Sequence, residues 1–205
     1  MQLYYQTHSP FARKVLVFAH EAGLSDRLEI IHHETSPTLR NDAVFQENPL
    51  GKVPVLVRPG MAPLFDSDVI CAYLDTCHDA RKLIPAEGEP RWIALQLQAL
   101  AQGLAETGIS LRWETVRRPE HLRYDLLQQG MQTKLEEAYR WLETQPLETD
   151  DIHIGHISLA TALSWLKFRD LPMPSPGSRV MSWLAAFDRR PSMLMTPLGG
   201  ETVDR

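Results

Sequence analysis

Asn48-Pro49-Leu50-Gly51-Lys52-Val53-Pro54-Val55-Leu56 is the stretch from which the fold of the first half unfolds in both directions. Its apolar end predicts a strand over Val53–Val57, and Pro59-Gly60 directly behind it marks a turn. Leu64-Phe65 reads as a short returning strand, and Ser67–Cys77 as a helix. Upstream, Thr38–Gln46 after Pro37 has the pattern of a weak, irregular helix, and Leu28–His32 that of a strand. Phe11–Ala22 is an apolar-periodic helix stopped by Gly23, and Gln2–Tyr5 a first strand. The order β-α-β-α-β-β-α gives two parallel strands followed by an antiparallel hairpin, an α/β sheet domain.

Strand signals end near Glu87. The charged, Pro85- and Gly88-containing stretch 78–88 is a linker, which divides the chain into residues 1–77 and an all-helical part, 88–205. Pro90 opens a long amphipathic helix through Trp113, as proline in a first helical turn does. Pro119 is expected to open another, through Leu142, and Ile154–Phe168 is apolar enough to be a buried helix. Ser182–Asp188 is the last clear helix, and the tail after Pro191 is ordered by docking.

The bulk composition narrows the partners. With 43% hydrophobic residues the chain can build real cores. A net charge of −5 without any Lys/Arg block argues against nucleic acid and anionic membrane surfaces. No basic-then-apolar leader and no apolar run of about 18 residues is visible, so the cytoplasm is the expected location. Cys71 and Cys77 lie on opposite sides of one helical stretch, where they read as buried apolar side chains rather than a disulfide.

Two further segments carry chemistry alongside the first: Ser9-Pro10-Phe11-Ala12-Arg13-Lys14 and Phe65-Asp66-Ser67-Asp68-Val69-Ile70. As a set, in this order and spacing, the three segments resemble the glutathione transferase superfamily, particularly serine-type members such as the plant tau class and related bacterial proteins. The resemblance implies a thioredoxin-like, glutathione-binding domain over 1–77 and an all-α domain over 88–205. It also implies a homodimer pairing the first domain of one subunit with the second of the other; Phe45 near the second helix is compatible with that. Glutathione would be a co-substrate, and no metal is implied.

Each residue has a plain reading beside the functional one. Ser9 at the mouth of a helix caps its free N–H groups, as serine commonly does. The resemblance makes it the catalytic hydroxyl, donating a hydrogen bond to the glutathione thiolate. Both roles are compatible in one side chain. At the ends of this turn, where thioredoxins carry Cys-x-x-Cys, stand Ser9 and Ala12, so dithiol chemistry is excluded there. The bond before Pro54 is implied to be cis, presenting the N–H and C=O of Val53 to the cysteinyl part of glutathione as a short strand addition. Lys52 is either a surface lysine or the partner of the glycyl carboxylate. Ser67 is expected to cap its helix and, with local N–H groups, to hold the γ-glutamyl carboxylate. Asp66 stands where the family more often has Glu and takes part in holding the γ-glutamyl amino group. Phe11 and Trp113 are walls of a second-substrate pocket or ordinary core. His153 and His156 stand where the family carries Ser/Thr-x-x-Asp, and read as substitutes in that cap rather than metal ligands.

The implied activity is attack of a glutathione thiolate on a small electrophilic carbon or a peroxide oxygen. The alternative is a non-catalytic protein binding glutathione or a hydrophobic ligand on the same fold.

Overall fold

The alternating pattern of Gln2–Tyr5 places Leu3 and Tyr5 on one side of strand β1 and Tyr4 on the other. In the computed structural model, which describes residues 1–147 and 150–202, β1 is a central strand. Strand β2 (Glu29–His32) runs parallel to it, and β3 (Val55–Arg58) runs antiparallel on its other side, with Tyr4 opposite Val55. Strand β4 (Met61–Leu64) returns along β3, completing the order β2-β1-β3-β4. This is the thioredoxin-like arrangement expected from the element order.

Helices α1 (Pro10–Glu21) and α3 (Ser67–Thr76) pack against one another, and Leu3, Val15, Phe18, Leu56, Ile70 and Leu74 are fully buried. Burial of side chains of this kind contributes about 1.5–3 kcal/mol each relative to exposure. Tyr4, Val55 and Val57 gather with Val44 of α2 (Asp42–Glu47) and with Val53 in a second cluster.

Three boundaries differ from expectation, each for a local reason. Helix α2 starts at Asp42 rather than Thr38, because Ser36 Oγ accepts the N–H groups of Thr38 and Leu39 in a tight turn that competes with helix. Strand β3 starts at Val55 rather than Val53, since Pro54 has no N–H for the ladder. The hairpin turns sharply at Pro59-Gly60, where Gly60 has φ +70, and so β4 is Met61–Leu64 instead of Leu64-Phe65.

The chain forms two units, Met1–Arg91 with the segment from Pro191 onward, and Trp92–Arg190. The tail of the first docks on α1. Buried Arg13 donates to the carbonyls of Thr196 (2.6 Å) and Met193 (3.2 Å), around helix α8 (Pro191–Leu194), and Gly199 N–H reaches Thr7 O at 3.2 Å. The segment behind α3 is held by Asp75, whose carboxylate accepts the N–H groups of Leu83 and Ile84.

The second unit contains most of α4 (Gly88–Arg112), a wider π-turn over Trp113–Arg117, α5 (Asp125–Glu143), α6 (Ile154–Phe168) and α7 (Arg179–Phe187). Pro119 opens only a single turn, Glu120–Leu122, and α5 begins later than expected. Buried Glu114 takes the Tyr124 N–H at 2.6 Å, which holds the chain extended before α5. Gly108 and Gly155 mark close helix approach: a Cβ on Gly108 would lie 2.3 Å from Leu166, and one on Gly155 2.7 Å from Ala94 O. Ser178 caps α7 and Glu143 accepts the N–H groups of Arg179 and Val180, so this helix starts before Ser182. Among the described residues no helix is long and apolar enough to cross a membrane.

Helix α6 begins with the expected histidine cap. His153 Nδ1 accepts the Gly155 N–H at 3.1 Å, and His156 Nδ1 accepts the His153 N–H at 3.2 Å, a capping box built from two imidazoles. Both bonds need an unprotonated nitrogen. Burial, and secondarily His153, pushes the His156 pKa from 6.5 down to about 3. The unfolded chain therefore takes up this proton first on acidification. The stabilisation is complete above pH 6.5 and is lost as pH falls from 6.5 toward 3. Denaturant titrations should show stability falling at up to about 1.4 kcal/mol per pH unit from this group. Replacing His153→Ser together with His156→Asp, which rebuilds the cap with oxygens, should remove that slope above about pH 5; an unchanged slope would contradict the assignment.

Candidate functional site

Proline at the first position of α1 has no N–H to leave unsatisfied, and Ser9 before it serves the next donors. Ser9 is extended (φ −91, ψ 119), and its Oγ accepts the Ala12 N–H at 3.2 Å. Its own N–H closes the preceding turn onto Gln6 O at 3.1 Å. The side chain is buried, and no acceptor for its O–H is found among the described residues. The hydroxyl thus caps through a lone pair and keeps its proton for another partner.

The second wall is the turn leading into β3. Asn48 organises it: its Oδ1 takes the Leu50 N–H, its carbonyl the Gly51 N–H, and its Nδ2 donates to Lys52 O at 2.8 Å. Gly51 has φ +62 and lies against the Phe45 ring. Lys52 is exposed, Val53 is buried, and the Val53–Pro54 bond is cis, as expected. The β1–β3 ladder starts at Val55, so Val53 lies outside it.

At the start of α3 the cap is Asp66, not Ser67. Asp66 is extended (φ −87, ψ −170) and its carboxylate accepts the Asp68 N–H at 2.7 Å, while its carbonyl takes the first helical bond from Ile70. Ser67 is already inside the first turn and cannot fold back onto these donors. It is fully buried, and its Oγ has no hydrogen-bond partner among the described residues. A buried hydroxyl without a partner costs about 1–3 kcal/mol. Asp68 forms an ion pair with buried Lys14 of α1.

Several members of this region carry no signature in residue type. Buried Gln6 and Thr35 and half-buried Glu34 form a bridge: Gln6 Nε2 donates to Glu34 Oε2 (3.1 Å) and to Thr35 O (2.9 Å). Asn48 stood in the quoted stretch, and only a buried polar residue beside the Pro49-Leu50-Gly51 turn could have flagged it. Phe11 is half-buried in the first unit and Trp113 half-buried in the second, with Arg117 over its ring at 4.6 Å. The Cys71 thiol is not poised to react. Cys71 is fully buried, and desolvation pushes its pKa up to about 12 against a smaller opposing effect of Lys14. Among the described residues no group of three or more His, Cys, Asp or Glu is placed to hold a metal.

Residues 8–77, which span Ser9, the cis-proline turn and α3, match the family model of the glutathione S-transferase N-terminal domain. The chain is 30% identical over 164 residues to the uncharacterized GST-like protein YibF of Escherichia coli (strain K12), covering 78% of this chain and 79% of that protein. It belongs to the glutathione S-transferase family. A crystal structure of a family member from Pseudomonas fluorescens Pf-5 with bound glutathione is similar over 97% of this chain and 99% of that one, at 34% identity and a TM-score of 0.91. A structure with bound S-(propanoic acid)-glutathione, also from that organism, gives 31% identity and a TM-score of 0.85, covering 98% of this chain and 100% of that one. The four-stranded sheet followed by a helical region is thus the glutathione S-transferase fold.

Within this transferase fold, Gly51 and Gly60 allow a controlled comparison. Both have positive φ, but a Cβ on Gly51 would sit 2.2 Å from the Phe45 ring, whereas Gly60 has nothing within 4 Å. Gly60→Ala should cost about 1 kcal/mol from the left-handed backbone alone. Gly51→Ala should cost roughly 1–3 kcal/mol more through overpacking, read by chemical denaturation. Equal costs would contradict the packing of this turn.

Proposed function

We propose that this chain is a serine-type glutathione transferase: residues 1–77 bind glutathione, and Ser9 stabilises its thiolate for attack on a small electrophile. The observation that carries this reading is the Ser9 hydroxyl, which caps α1 as an acceptor and retains its own proton at the positive end of the helix. A free thiol titrates near ~8.5, and one donated hydrogen bond together with the helix end lowers that value by about one to two units. Most of the bound thiol is then ionised at neutral pH.

The rest of the assignment follows the two walls. Val53 pairs with the cysteinyl backbone, Pro54 sets the turn, and Lys52 faces the glycyl carboxylate. Asp66 holds the γ-glutamyl amino group. Ser67, with its unmet hydroxyl at the mouth of α3, takes the γ-glutamyl carboxylate. Glutathione bound in the Pseudomonas fluorescens relative supports this use of the fold. The S-(propanoic acid)-glutathione held in the second structure supports carbon as the atom attacked: the thiolate forms a C–S bond while the electrophile's leaving group departs with its bonding pair, or while an activated C=C π bond opens and its far carbon takes up a proton. The exposed apolar side chains Met61 and Val69 of the first unit, and Trp92 and Ile93 of the second, support a homodimer. The reaction needs binding, orientation and thiol ionisation from the protein, without a metal.

The test is thiol titration of bound glutathione in wild type and Ser9→Ala. A hydrogen bond to a charged group is worth about 1.5–3 kcal/mol, so the variant should bind glutathione nearly normally while its bound thiol titrates about one to two units higher. Equal thiolate absorbance at neutral pH in the two proteins would refute the role of Ser9.

A further inference from the structure

The two walls of the site belong to loops far apart in sequence, and Thr35 is bonded toward both. Its carbonyl accepts the Gln6 side-chain N–H at 2.9 Å, and its Oγ1 donates to Gly51 O, also at 2.9 Å, with a longer contact to Leu39 O at 3.4 Å. Gln6 in turn accepts the Ser9 N–H through its own carbonyl at 3.1 Å. On the other side, Gly51 directly precedes Lys52 and Val53. The path Ser9–Gln6–Thr35–Gly51 therefore runs through three hydrogen bonds and ends at both walls. Gln6 and Thr35 are buried, so water does not compete for these bonds. The second Gln6 N–H goes to Glu34 Oε2, which leaves its amide no rotational freedom.

We infer that Thr35 is a positioning residue that sets the spacing between the Ser9 hydroxyl and the edge at Val53, and through it the ionisation of the bound thiol. This inference rests on the glutathione reading above. Thr35 touches neither the sulfur nor any reacting atom; it acts through Ser9 and Gly51. A hydrogen bond to a thiolate weakens steeply with distance and angle. A tripeptide anchored at Val53 delivers its sulfur to Ser9 only if the two loops keep their separation. Thr35→Val keeps the shape but removes the donor, leaving the buried Gly51 carbonyl without it. Thr35→Ser keeps the donor and removes only a methyl group.

The experiment measures the apparent pKa of the glutathione thiol bound to wild type, Thr35→Val and Thr35→Ser, with circular dichroism melts as the check on folding. Thr35→Val should cut the thiolate fraction at neutral pH about 3-fold or more, and Thr35→Ser should stay within about 2-fold of wild type. A merely structural role would lower the melting temperature of Thr35→Val and leave its bound-thiol pKa where it was. That result would overturn the inference, as would a Thr35→Ser protein that loses thiolate to the same degree. Should Thr35→Val not fold, Gln6→Met, which removes the N–H given to Thr35, is read by the same criterion. Wild-type protein that binds glutathione without ionising it would remove the Ser9 reading itself. Wild-type ionisation retained in a folded Thr35→Val removes only the role of Thr35.

Discussion

Everything in the first unit is arranged around the amino-terminal end of one helix. The first turn of α1 presents N–H groups and the positive end of its dipole, and a single hydroxyl, Ser9, stands at that opening. The same helix carries two buried cations directly behind the cap, Arg13 and Lys14, and both are engaged inside the unit. Arg13 gathers the carbonyls of Thr196 and Met193, and Lys14 pairs with Asp68 at the start of α3. Helix α1 therefore holds the segment around α8 on one side and the α3 mouth on another. Truncating Arg13 would leave the buried carbonyls of Thr196 and Met193 without their charged donor.

The handling of sulfur follows from the same economy of charge. Cys71, fully buried on α3, is held protonated by desolvation despite the opposing effect of the Lys14 ammonium. The turn that in dithiol proteins carries two cysteines has Ser9 and Ala12 instead. A hydroxyl cannot be consumed by oxidation or trapped as a mixed disulfide, but it can donate a hydrogen bond to a sulfur brought by a ligand.

Much of this was legible in the residues. Alternation at Gln2–Tyr5, the Ser9-Pro10 helix start and the apolar run of Ile154–Phe168 are local signals, and the structure places each of those elements within a residue of its expected bounds. The histidine cap was legible as well, because an imidazole nitrogen can accept a backbone N–H as an oxygen does. Local competition hid other features. Ser36 diverts the backbone before α2, Glu114 holds Tyr124 extended where Pro119 suggested a helix, and Asp66 takes the cap that Ser67 was expected to supply. The bridge through Gln6 and Thr35 was invisible for a different reason. It joins residues 29 and 16 positions apart, and neither glutamine nor threonine at such positions differs in type from a surface residue. Only burial reveals it.

The central claim is geometric: a bound tripeptide runs along the edge at Val53 with its sulfur at the Ser9 hydroxyl. A crystal structure of the chain with reduced glutathione tests it most directly. The account predicts backbone pairing of the cysteinyl residue with Val53, and the sulfur within hydrogen-bond reach of Ser9 Oγ, roughly 3–3.5 Å. Glutathione held elsewhere, or held at Val53 with its sulfur turned away from Ser9, would contradict it.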